Sequence, residues 1–108
     1  MTTEEVQALV RNQSVENLGA VNHNIALEDA LVAPRVISVI ARDVRNGRVK
    51  DESLTVWLVG QEKGPDGYKI ILRDDGLQFG LASTGFPHDA APILVGWYGD
   101  LLTTFLGM

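Results

Sequence analysis

Apolar and polar positions alternate with a period of two through the middle of the chain, most clearly in "RVISVIARDVRNGRVKDESLTVWLVG", Arg35 to Gly60. Strict alternation marks half-buried strands. Asn46-Gly47 lies at the centre of this stretch, and Asn-Gly is the dipeptide that most readily takes the positive φ angles of a type I′ hairpin turn. With those two residues as the loop, the register is determined. Val44 faces Val49, Asp43 faces Lys50, Arg42 faces Asp51, Val39 faces Leu54 and Ile37 faces Val56. Val36 falls across from Trp57, and Ser38 from Thr55. A slip of one residue would set charges against hydrophobes, so the pattern selects its own alignment. Arg45 beside Arg48 is the one unfavourable pair.

The same logic continues downstream. "GPDG", Gly64 to Gly67, is a turn, with Pro65 presetting φ and a glycine free to take a left-handed conformation. "YKIILRDDGLQFGLA" then predicts a hairpin about Asp75-Gly76. Leu72 pairs with Phe79, Ile70 with Leu81 and Arg73 with Gln78, while Gly80 opposite Ile71 leaves room on that face. The prediction is a four-stranded antiparallel meander over about residues 36–45, 48–60, 68–74 and 77–83.

Helical periodicity predicts the ends of the chain. Thr2 and Glu5 have the spacing of a capping box, and Val6, Leu9 and Val10 share a helical face, so a first helix is expected over about residues 4–13. "NHNIALEDALVAP", Asn22 to Pro34, suits a short helix capped by Asn24, or equally a strand interrupted by Asp29. Either element is expected to end at Pro34, which disfavours the α region for the residue before it. Beyond Ile93, Leu94, Trp97, Leu101, Phe105 and Met108 recur at three- and four-residue steps, which predicts a C-terminal helix over about residues 90–107 with Asp89 as its cap. Gly96 and Gly99 would each cost about 1 kcal/mol inside such a helix, offset by close approach to the sheet or to a second copy of the chain. The expected fold is a single α+β domain over residues 1–108.

Composition narrows the class. The chain has 108 residues, 45% hydrophobic and 21% charged, as in a globular domain with one core. It has no cysteine, which excludes disulfides and thiolate zinc and suits a cytoplasmic setting. The N-terminus is acidic where a secretory signal would be basic, and the apolar C-terminal run contains Pro92 and Asp100, so no membrane segment is expected. Net charge is −5. The densest basic segment, Arg42 to Glu52, also carries acids, which disfavours nucleic acid as a partner.

Candidate chemistry is sparse. His88-Asp89 is the sharpest pair for acid–base work, with Asp100 as another carboxylate. The same letters also describe a loop residue followed by a helix cap. His23 could join His88 in a metal site, but no paired-ligand spacing supports one, and neither a metal nor a cofactor is expected. "RDDG", Arg73 to Gly76, lacks the alternating acids of a calcium loop. No phosphate-binding loop or nucleophile elbow occurs. Trp57, Phe79, Trp97 and Tyr98 could line a cleft between sheet and C-terminal helix, rimmed by Ser83, Thr84, His88 and Asp100, or could simply fill the core.

The expected function is that of a small acidic non-catalytic binding protein. It pairs with itself to cover the open sheet and takes a protein partner or a small apolar ligand between sheet and C-terminal helix. The alternatives are an immunity- or antitoxin-like inhibitor whose acidic surface meets a basic toxin, and a small enzyme using His88 with Asp89 or Asp100.

Overall fold

The computed structural model of the protein describes residues 1–62, 67–84 and 91–108. Among the described residues the elements follow in chain order: α1 (Thr3–Val15), β1 (Val21–Asn22), β2 (Ile25–Ala26), α2 (Leu27–Ala30), β3 (Leu31–Arg45), β4 (Arg48–Gln61), β5 (Lys69–Arg73), β6 (Phe79–Ser83), β7 (Ile93–Gly99) and α3 (Leu101–Leu106). Among the described residues no helix is long and apolar enough to cross a membrane.

The α1 helix starts where its capping box places it. Thr2 Oγ1 accepts from the Glu5 N–H at 3.2 Å, and Glu5 Oε1 accepts from the Thr2 N–H at 3.0 Å. The bond from the Thr2 N–H, and with it the Thr2 hydroxyl, favours the ionised carboxylate, so the Glu5 pKa lies below its usual value. The helix buries Val6 and Val10.

The two central hairpins pair as the alternation requires. Every β3–β4 pair predicted from the Asn46-Gly47 turn is present, from Arg45↔Arg48 through Val44↔Val49 and Arg42↔Asp51 to Val36↔Trp57. Asn46 (φ 52°) and Gly47 (φ 75°) both occupy the left-handed region that this turn demands. Likewise β5 and β6 pair Leu72 with Phe79, Ile71 with Gly80 and Ile70 with Leu81, and the Arg73 N–H donates to the Gln78 carbonyl.

Three expectations are corrected. First, the sheet is not an open four-stranded meander but a closed five-stranded barrel, β3-β4-β5-β6-β7. The fifth strand comes from the segment predicted to begin a helix over residues 90–107. β7 runs antiparallel to β6, from Ser83↔Ile93 to Phe79↔Gly99, and closes on β3 in parallel through Ile40↔Ile93. The three- and four-residue steps of Leu94, Trp97 and Leu101 fit a helix in isolation. Here the edge of β6 offers ladder hydrogen bonds, interrupted by two register shifts, to a β-branched and aromatic segment whose two glycines weaken any helix. The helix survives only as α3, capped by Asp100.

Second, the short helix expected in the ambiguous segment is present as α2 with Glu28 and Asp29 in its first turn, but Ala26 and not Asn24 stands at its cap, and a hairpin precedes it. His23 (φ 52°) and Asn24 (φ 61°) form the turn of a small hairpin, β1–β2, and α2 is a single turn. Third, β3 begins at Leu31 and runs through Pro34, because a register shift between Leu31 and Arg35 places the proline where no ladder bond is lost.

Alternation along the strands gives two hydrophobic clusters on opposite sheet faces. The larger one joins Val59, Ile70, Leu72, Phe79 and Leu81 to Val6 and Val10 of α1, Leu27 of α2, and Leu101 and Phe105 of α3. The smaller holds Val39, Val56, Ile71 and Ala82, with Trp97, Leu94, Ile37 and Leu54 packed against it. Helices cover the first face, whereas curvature and the Trp97 indole fill the second.

Candidate functional site

The aromatic residues proposed as walls of a cleft are divided between those two clusters. Phe79 is 1% exposed and belongs to the larger cluster. Trp57 and Tyr98 pack against that same cluster, whereas Trp97 packs against the smaller one. The room left by Gly80 is taken by the Trp97 ring. Ser83 ends β6 half-buried and Thr84 is exposed just beyond it. His88 and Asp89, with their acid–base pairing and the helix cap assigned to Asp89, lie outside the described residues. Among the described residues, hollows along the β3–β4 hairpin and one of about 310 Å³ between α1 and the start of β3 are lined by other residues.

Asp100 has a structural role. Its Oδ1 accepts from the Thr103 N–H at 2.7 Å and its backbone carbonyl accepts from the Thr104 hydroxyl at 2.8 Å. The bonds from Thr103 lower its pKa. A lowered folded-state pKa means that this carboxylate stabilises the fold above the ordinary aspartate value, and that the contribution fades as pH falls through the lowered one. Asp100→Ala is therefore expected to cost about 1 kcal/mol, the usual worth of a helix cap. Urea titrations at pH 7 and at pH 2.5 check this: the gap between wild type and variant should shrink at the acid pH, and an equal gap at both would remove the cap from the account.

His23 is a turn residue of the β1–β2 hairpin. Its Nδ1 lies 3.3 Å from Glu62 Oε2, while Glu62 Oε1 accepts from the Tyr68 N–H at 3.0 Å. Among the described residues no cluster of three or more His, Cys, Asp or Glu could hold a metal ion.

The feature that sequence reasoning missed is the shape of the long hairpin. β4 meets β5 only from Val56 to Gln61, and β3 meets β7 only at Ile40. Beyond that closure five cross-strand pairs, Ala41↔Glu52 to Arg45↔Arg48, have no third strand beside them. At 3.3 Å per residue they carry the ribbon about 17 Å past the barrel wall. Both ribbon faces are wet: Val44 and Val49 on one face are 63% and 62% exposed, and Asp43, Arg45, Arg48 and Lys50 on the other are exposed as well. The length difference was visible beforehand, since strands predicted at ten and thirteen residues had neighbours predicted at only seven. The closure point was not.

The arm is held in shape by its own charges. Arg42 grips Asp51 bidentately, Nε to Oδ1 at 2.8 Å and Nη2 to Oδ2 at 2.9 Å, and these bonds hold the Asp51 carboxyl below its ordinary pKa. Arg45 contacts Asp43 at 2.9 Å. Arg48 and Lys50 make no ion pair among the described residues. Together with Arg45 and Asn46 they line a hollow of about 600 Å³ at the arm's end.

Comparison with family models, with curated proteins and with solved structures gives no match to this chain.

Proposed function

We propose that the protein is a small non-catalytic binding protein that engages a protein partner through the β3–β4 arm. One observation carries this reading: twelve residues, Ala41 to Glu52, stand outside the barrel, exposed except for half-buried Ala41. A two-stranded ribbon is marginal by itself, yet this one is ordered by a type I′ turn and by paired charges. Such a ribbon adds almost nothing to the core, but it offers backbone edges and side chains on both faces to another surface. Barrel closure also changes where an edge is available. The sheet margin that suggested self-pairing is covered by β7, which leaves without a neighbouring strand, among the described residues, the outer edge of β4 from Arg48 to Thr55 and that of β3 on either side of Ile40. Asp100, engaged in capping α3, gives the acid–base reading no support.

The test is a shortened arm. Deleting Ala41–Val44 together with Val49–Glu52 brings Ile40↔Ser53 next to Arg45↔Arg48 and preserves the in–out alternation of both strands. The variant is expected to unfold cooperatively close to the wild-type midpoint, because no residue of either hydrophobic cluster is removed. It should also lose the proteins that the full-length chain retains in parallel affinity capture and cross-linking. Equal retention by both chains would remove the arm as the binding element.

A further inference from the structure

The charge of the chain is unevenly distributed. The arm, Ala41 to Glu52, carries four of the nine Lys and Arg and three of the fourteen Asp and Glu, a net of +1, so the rest of the chain holds −6 of the total −5. At the arm's end Arg45 and Arg48 face each other across the ribbon with no acid between Val44 and Val49. Like charges placed directly opposite destabilise a hairpin. The arrangement persists at low cost when an acidic surface sits against it.

A matching surface lies on the same chain. Glu28 and Asp29, adjacent on α2, are exposed and make no ion pair among the described residues. Glu5 is engaged by the α1 cap, Asp43 by Arg45, Asp51 by Arg42, Asp75 by Arg73 and Asp100 by α3. Glu4, Glu16, Glu52 and Asp74 are exposed with no unengaged acid next to them in sequence, so Glu28–Asp29 is the adjacent pair of exposed acids with neither engaged among the described residues. α2 leads directly into β3, whose far end is the arm. The basic tip and the acidic pair therefore stand at opposite ends of one fifteen-residue strand, in a molecule 44 Å long.

We infer that two copies of this chain associate antiparallel about a two-fold axis, each placing Arg45, Arg48 and Lys50 of its arm on Glu28 and Asp29 of the other. Two-fold closure satisfies both arms at once and leaves no free end to propagate a fibre. The dimer rests on the arm being the docking element and goes further by naming the occupant.

Sedimentation velocity on the full chain at tens of micromolar and low salt tests it. The expected species is a dimer of the 11.7 kDa chain, about tenfold weaker when sodium chloride is raised from roughly 0.05 to 0.5 M, because exposed pairs are screened. R45E/R48E and E28R/D29R should each weaken it by about a hundredfold, since each sets like charges together. Mixing these two variants in equal amounts should restore the dimer, because each reversed arm then meets a reversed α2 and each native arm a native one. The neutral pair E28Q/D29N, which does not oppose the helix dipole, should weaken the dimer while leaving the circular dichroism unchanged. A wild-type monomer, a mixture that stays monomeric, or open polymers growing with concentration would each overturn the reciprocal dimer. A monomer whose shortened-arm variant still loses a captured protein would refute the self-contact while upholding the arm as a binding element.

Discussion

A Gly80→Ala variant is expected to lose about 3 kcal/mol of stability, the upper end of what a single added methyl costs in a packed interior. A Cβ at Gly80 would lie 2.5 Å from the Gly96 carbonyl oxygen and 2.6 Å from Cε3 of Trp97. Neither neighbour can yield cheaply. The carbonyl belongs to the strand that closes the barrel, next to the Gly80↔Trp97 and Leu81↔Gly96 pairs. The indole is packed against the smaller cluster with Val39, Val56, Ile71 and Ala82. Accommodation therefore requires β6 and β7 to separate. Gly96→Ala is the control, since its Cβ would meet nothing closer than 3.6 Å. Urea unfolding should show a large fall in midpoint at unchanged slope for the first and a small one for the second. Similar midpoints would mean that Trp97 does not fill the space left by Gly80.

Phe105→Ala should cost more, about 4 kcal/mol, in the range for removing a buried phenyl ring. α3 has six residues, too few to form a helix without tertiary support. Its support is burial of Leu101, Thr104 and Phe105, with two bonds to distant segments: the Leu101 N–H to Gln13 Oε1 at 2.7 Å and Asn22 Nδ2 to the Phe105 carbonyl at 2.9 Å. Loss of the ring should release α3 and loosen β1 with it, seen as faster amide exchange over residues 101–106 and near Asn22. Leu106→Ala, at a position 52% exposed, should stay within about 0.5 kcal/mol of wild type. Exchange confined to the last residues in Phe105→Ala would show that α3 holds by itself.

Legibility followed the range of the interactions. The two hairpins were readable because a turn signal, type I′ at Asn46-Gly47 and a left-handed glycine at Gly76, and a period-two pattern sit within a few residues of each other, and either one checks the other. The α1 cap was readable for the same reason, since Thr2 and Glu5 are three residues apart. The β1–β2 turn could have been found as well: His23 and Asn24, in "NHNI", are residue types that tolerate the left-handed region, and the helical spacing of Leu27 and Leu31 drew attention from them. The site was less legible. Arg45 facing Arg48 was evident as an unfavourable pair, but nothing nearby showed that this pair would stand clear of the barrel.

Residues 93–99 mark the division. Their spacing satisfies a helix and their composition a strand, and sequence neighbours cannot decide between them. The deciding partners, Phe79 to Ser83 on one side and Ile40 on the other, are at least ten residues away along the chain, and they offer backbone bonds that only a strand can accept. Local chemistry determined the turns, the caps and the cross-strand pairs of this protein. Tertiary structure alone decided that its sheet closes and that closure leaves one charged ribbon outside, because a ladder of hydrogen bonds across the barrel outweighs the preference of any seven residues.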